Sequence, residues 1–103
     1  METLNNLIFW TTRSKRDLAK ILSFNTDLFN LKKAKEIAYK IEDCTKVLIR
    51  FPKIGAIDNE FLHLKINYRK IFQHHCKITY RVGKNKIFII RVFDMRQHPN
   101  KNR

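Results

Sequence analysis

The sequence predicts an α+β fold: an N-terminal strand and a helical hairpin, followed by a three-stranded antiparallel meander. Three observations lead there. Apolar residues recur at helical spacing between Leu18 and Leu48, they alternate with polar ones from Arg69 to Phe93, and the alternating runs are joined by short turns. Turns that short force antiparallel pairing. A helical layer over one face of a small sheet is how such a chain buries both apolar surfaces. At 103 residues the chain reads as one domain over 1–103.

Each element has its own signal. Leu4 to Thr11 is a short apolar run with Ile, Phe and Trp, as in a first strand. Ser14 with Asp17 resembles a capping box, and Leu18, Ile21 and Leu22 follow at helical spacing, which predicts a helix over Ser14 to Phe24. Asn25, Thr26 and Asp27 are turn and cap residues. Beyond them Leu31, Ala34, Ala38, Ile41 and Leu48 mark one face of a longer helix that stops before Phe51-Pro52. Pro52 to Asn67 is unpatterned and reads mostly as loop. Arg69 to Gln73, Lys77 to Val82 and Lys86 to Phe93 are the three strands, with turns at His74-His75 and Gly83-Lys84-Asn85.

Alternation then assigns faces. Ile78, Tyr80 and Val82 on one strand and Phe88, Ile90 and Val92 on the next are expected to meet the helices. The opposite face would carry Lys77, Thr79 and Arg81 with Ile87, Ile89, Arg91 and Phe93. A three-residue turn over Gly83 to Asn85 satisfies that assignment and sets Lys77 opposite or near Arg91.

Charge is the most informative bulk property, with 22 Lys and Arg against 9 Asp and Glu. Residues 1–60 hold 11 basic and 8 acidic side chains, whereas residues 61–103 hold 11 basic ones and a single acid, Asp94. Solvated faces usually mix signs, so a one-signed half implies an anionic partner. A membrane surface fits poorly, because the basic half reads as strands. No apolar run is long enough to span a bilayer, and Met1 to Thr12 lacks the basic start and cleavage site of a signal peptide, so the expected location is the cytoplasm. There, Cys44 and Cys76 are expected to stay reduced.

The segments FPKIG, NYRKIF and HHCKITYRVGKNKIFIIRVFDMRQHP resemble the C-terminal half of RelE/ParE toxins. In that superfamily an Arg on one strand precedes a hydrophobic-Tyr-Arg-Val strand, a hairpin and a strand ending in Arg. VFDMRQHP is the most specific piece, and the order of elements also matches. The resemblance implies the RelE/ParE-like microbial toxin fold. It also implies a growth-arresting toxin of a type II toxin-antitoxin system, neutralised by a cognate antitoxin in a hetero-oligomer. Two mechanisms occur among such proteins. RelE-like members cut messenger RNA at the ribosome, the reading placed first here; ParE-like members bind DNA gyrase and hydrolyse nothing. A non-enzymatic RNA-binding module is the alternative from another class, and it would bind without arresting growth.

By position, the RelE pattern carries onto Lys70, Lys77 and Arg96. No Tyr follows Arg96, so His98 is the candidate proton donor. In such a reaction a 2'-hydroxyl attacks the adjacent phosphate, a base takes its proton, cations hold the oxyanion and an acid protonates the leaving oxygen. Lys70 or Lys77 would be the base, Arg69, Arg81, Arg91 and Arg96 would grip phosphate, and His98 would be the acid. No metal or other cofactor is required. The plain alternative for Arg69 and Arg81 is a solvated strand residue, and Asp94 is expected to pair with an Arg or cap a turn. His63, His74, His75 and Cys76 do not suit a zinc site, because three neighbours on a strand point to alternating faces. Trp10 and Phe93 are expected in the core, although rings such as Tyr68 and Phe72 could also stack on bases.

Overall fold

The computed structural model describes residues 7–59 and 67–97. Its elements run β1 (Leu7–Trp10), α1 (Thr12–Leu28), α2 (Leu31–Thr45), α3 (Val47–Arg50), β2 (Ala56–Ile57), β3 (Tyr68–Gln73), β4 (Cys76–Gly83) and β5 (Lys86–Asp94). The sheet order is β1-β5-β4-β3-β2. The α+β class and the meander are as expected. What the sequence did not signal is the place of β1, which pairs parallel to β5 from Leu7 opposite Lys86 to Trp10 opposite Ile89.

The first helix is longer than its pattern predicts at both ends. Thr11, not Ser14, is the N-cap, with its hydroxyl accepting from the Ser14 amide at 3.1 Å. At the far end Asn25 and Thr26 are helical and do not form the expected turn. Asn25 Nδ2 donates to the Ile21 carbonyl at 2.9 Å and Thr26 Oγ1 to the Leu22 carbonyl at 2.7 Å, so both polar side chains bond back to their own helix. The link to α2 is Phe29-Asn30, and Asn30 caps α2 by accepting from the Lys33 amide at 2.8 Å. The long second helix breaks at Lys46 into α2 and the single turn of α3.

The core joins Ile21, Ile37, Ile41 and Leu48 of the helices to Cys76, Ile78, Tyr80, Ile87, Ile89 and Val92 of the sheet, with Trp10 and Leu18 packed against it. Each such aliphatic side chain contributes roughly 1.5–3 kcal/mol by leaving water. Leu31 departs from its expected place and is exposed.

The face assignment of β5 requires a correction. Ile87 and Ile89 lie in the core with Val92, whereas Phe88 and Ile90 are only half-buried. Gly83 pairs with Lys86, so the turn holds only Lys84 and Asn85, and Asn85 takes the positive φ of 56° that Asn tolerates. The resulting change of parity is reversed farther along by a bulge: Tyr80 faces Ile89 but Thr79 faces Arg91, leaving Ile90 as the extra residue. Lys77 consequently faces Phe93, and Arg91 faces Thr79. The expected confrontation of Lys77 with Arg91 does not occur.

Candidate functional site

Register sorts the cations of the meander by face, because directly opposed residues project to the same side. Arg69 opposes Tyr80 and so lies on the helix side; Lys70 opposes Thr79, Lys77 opposes Phe72 and Phe93, and Arg81 opposes Tyr68 and Phe88, all on the other side. Opposition and pairing then decide which cations can serve a ligand.

Three candidates are neutralised by buried aspartates. Lys77 is itself buried, with Nζ 3.4 Å from Asp58 Oδ2, the same oxygen that accepts from Thr79 Oγ1 at 3.0 Å. Arg91 donates through Nε to Asp17 Oδ2 at 2.8 Å, and the Val92 amide donates to that oxygen at 2.9 Å. Arg96 is held most tightly. Its Nε and Nη2 donate to the two oxygens of Asp94 at 3.1 and 2.7 Å, Nη2 also reaches Asn25 Oδ1 at 3.0 Å, and its guanidinium lies 5.2 Å from the Phe24 ring centre. Asp94 also accepts from the Arg96 amide at 2.9 Å, so it both pairs and caps. Burial alone would raise the Asp94 carboxyl, but the Arg96 hydrogen bonds and charge outweigh it and hold the group below the usual carboxylate value.

Among the described residues, no carboxylate is paired with the remaining candidates. Arg69 Nη1 donates to the Gly55 carbonyl at 2.7 Å and the Lys53 carbonyl at 3.3 Å. Arg81 lies over the Phe88 ring at 4.4 Å from its centre. Lys70 sits between Ala56 and Thr79 in register and is half-buried. His98 and His63 lie outside the described residues. Among the described candidates, Lys70 and Lys77 share the face of the sheet away from the helices, while Arg96 is tied to α1 on the helix side.

Sequence reasoning missed the residues that make this arrangement. Asp17, Asp58 and Asn25 were either assigned to caps and turns or passed over. A signal did exist, since acids are scarce in this chain and a scarce acid inside a basic fold is selected by a partner. The partner's identity, however, depends on contacts made across the fold. Gly55 lies in the segment that the sequence presents mostly as loop, yet a Cβ there would lie 2.5 Å from the Lys70 carbonyl oxygen and 2.8 Å from the Tyr80 hydroxyl. That hydroxyl accepts from the Gly55 amide at 2.9 Å, anchoring the segment before β2 to the core.

Cys44 and Cys76 are free thiols, and burial first, then Asp43 for one and Asp94 for the other, pushes them up to about 11 and about 12. Neither is a ready nucleophile. Among the described residues no cluster of His, Cys, Asp or Glu is placed to hold a metal ion. A wide groove of about 740 Å³ between β1, α1 and α2 is lined by Ile8, Trp10, Leu18 and Leu22, and among the described residues Lys15, Lys35 and Glu42 supply its charge.

With this geometry in view, comparison with known proteins is decisive on family. Residues 8–99 match the ParE toxin of the type II toxin-antitoxin system, parDE. The chain belongs to the ParE toxin family. Among solved structures it is similar to a chain of the chromosomal ParDE toxin-antitoxin system from P. aeruginosa, with a TM-score of 0.71 at 20% identity, covering 86% of this chain and 95% of that one. At that identity the likeness speaks for the fold. No curated protein sequence matches. ParE membership fits the extent of the resemblance seen in the sequence, which ran through the meander to VFDMRQHP. Among the described residues no helix is long and apolar enough to cross a membrane.

Proposed function

We propose that this ParE-family chain arrests growth by binding its target rather than by chemistry, with DNA gyrase as the target, and that a cognate antitoxin neutralises it in a cytoplasmic hetero-oligomer. The observation that carries the reading is the pairing of Lys77, Arg91 and Arg96 with buried aspartates. A phosphoryl-transfer clamp works through cations aimed at charge that develops during reaction. A cation already matched to a buried carboxylate offers little net field to a substrate, and breaking a buried pair costs about 3–5 kcal/mol. Arg96, which sequence placed at the centre of catalysis, serves better as the fastening of the β5 end to α1.

Cleavage of messenger RNA at the ribosome is the second reading. It is favoured by the open face, where Lys70 and Arg81 accompany the exposed ring of Phe72. One pair of assays separates the two. Purified toxin should abolish supercoiling by gyrase while leaving ribosome-bound messenger RNA intact, and in pulse-labelled cells DNA synthesis should fall before protein synthesis. Cut messenger RNA with unimpaired gyrase overturns the binding reading. The antitoxin is expected to be a short acidic protein encoded in an adjacent reading frame, whose co-expression restores growth; full tolerance of the toxin expressed alone would count against both mechanisms.

A further inference from the structure

The solvent faces of the two long helices are charged in different ways. On α2 the signs are mixed and pair with one another: Lys33 lies 4.0 Å from Glu36, and Lys46, just past the helix, 3.1 Å from Asp43. That is an ordinary solvated face. On α1 the exposed charges from Thr12 to Lys20 are Arg13, Lys15, Arg16 and Lys20, all of one sign. Asp17, the acid in that stretch, is buried and engaged by Arg91 and the Val92 amide. Arg13 approaches it at 3.5 Å, and among the described residues Lys15, Arg16 and Lys20 pair with no carboxylate.

Spacing turns these charges into a stripe. Arg13, Arg16 and Lys20 stand at i, i+3 and i+7, on one side of the helix within about 10.5 Å of its axis. Like charges three and four residues apart repel, so the stripe costs the free helix stability that an anion lying along it would restore. The exposed Asp27, about two turns beyond Lys20, closes it. The exposed positions beside the cations are small: Thr12, Ala19 and Ser23. Leu28, the last residue of α1, is its one exposed large apolar side chain.

We infer that the outer face of α1 binds the backbone of duplex DNA, with Arg13, Arg16 and Lys20 on phosphates and no reading of sequence. The missing side chains decide the partner. A membrane surface takes apolar residues into its interface, single strands stack on rings, and a protein interface is anchored by aromatic or aliphatic groups. The α1 stripe carries none of these. A duplex backbone requires only cations on a rigid element, and small residues between them let it come close. The B-form major groove also admits a helix, whereas that of duplex RNA is too deep and narrow. The inference goes beyond the proposed function, and its test contains neither gyrase nor antitoxin.

The test is fluorescence anisotropy of the full chain with a labelled DNA duplex of mixed sequence across a salt series. Log affinity should fall linearly with log salt, by about 0.9 per phosphate contacted. Arg16→Ala and Lys20→Ala should each flatten that slope by about 0.9, and together by about 1.8. Both side chains are exposed, so thermal melting should show the fold unchanged. Lys40→Ala, on the exposed side of α2, should leave the slope as it is. A wild-type slope near zero overturns the inference. So does an equal flattening by Lys40→Ala, which would mean diffuse attraction by net charge, or no flattening by the double variant. Equal or tighter binding of a single strand or an RNA duplex of the same length overturns the assignment to duplex DNA. Displacement by polyglutamate of equal charge, at equal or lower concentration, overturns it in favour of acidic protein.

Discussion

Replacing Asp17 by Ala tests how far a buried carboxylate, and not hydrophobic packing alone, holds α1 to the sheet. Asp17 is 6% exposed and receives Arg91 Nε at 2.8 Å and the Val92 amide at 2.9 Å. Its contact with Arg13 at 3.5 Å is to a side chain 52% exposed and contributes little. Asp17→Ala strands a buried amide, at about 1–3 kcal/mol, and leaves Arg91, only 14% exposed, without its counter-charge. Together these place the loss at about 3–5 kcal/mol, the range for removing one partner of a buried pair. In a domain of this size that lowers Tm by roughly 12 °C or more. Asp17→Asn keeps an acceptor for the Val92 amide and should lose less, about 1.5–3 kcal/mol. Adding Arg91→Met to Asp17→Ala removes the stranded charge and should recover part of the loss, a coupling of about 0.5–3 kcal/mol. Urea unfolding of the wild type, these three variants and the single Arg91→Met variant measures all of this. If Asp17→Ala shifts stability by no more than about 0.5 kcal/mol, as an ordinary surface change does, the clamp is not holding the helix.

Two further outcomes follow from the same geometry. Gly55→Ala forces a Cβ against the Lys70 carbonyl and the Tyr80 hydroxyl and should cost at least about 1–3 kcal/mol, whereas Tyr80→Phe, which only strands the Gly55 amide, should stay within that range; chemical denaturation ranks them, and a neutral Gly55→Ala refutes the contact. Asp94 has a lowered pKa in the folded chain, so its stabilisation is full above the unfolded value of about 4 and disappears as pH falls through the lower folded value; Asp94→Asn should therefore be less stable near neutrality and lose less stability on acidification, read from Tm against pH.

The meander is legible because β4 alternates cleanly, with Ile78 and Tyr80 inward and Lys77 and Arg81 on the opposite face, and because two-residue turns flank it. β5 is not, for a physical reason: Ile87, Phe88, Ile89 and Ile90 are all apolar, so either parity satisfies the pattern, and the bulge that selects one depends on the turn and on the neighbouring strand. The end of α1 was misread because Asn25 and Thr26 are turn-formers by composition and helix members by virtue of bonds to Ile21 and Leu22. The cations are legible in the sequence but their contacts are not, because charge alone does not distinguish Arg96, bound to Asp94, from Arg81, lying on a ring.

The pairing of β1 with β5 also constrains when the sheet can be completed. Thr11 and the Ile89 carbonyl it bonds are 78 positions apart, so β1 has no partner until nearly the whole described chain has been synthesised. The β3-β4 and β4-β5 hairpins close across two residues and need wait for nothing else, whereas docking of β1 requires the largest loop closure in the sheet. Until then Ile8 and Trp10 lie beside a helical hairpin whose apolar side is uncovered, a state prone to association between growing chains. A ribosome making this protein thus carries an incomplete fold for most of the synthesis, and the complete sheet can form only once β5 has emerged.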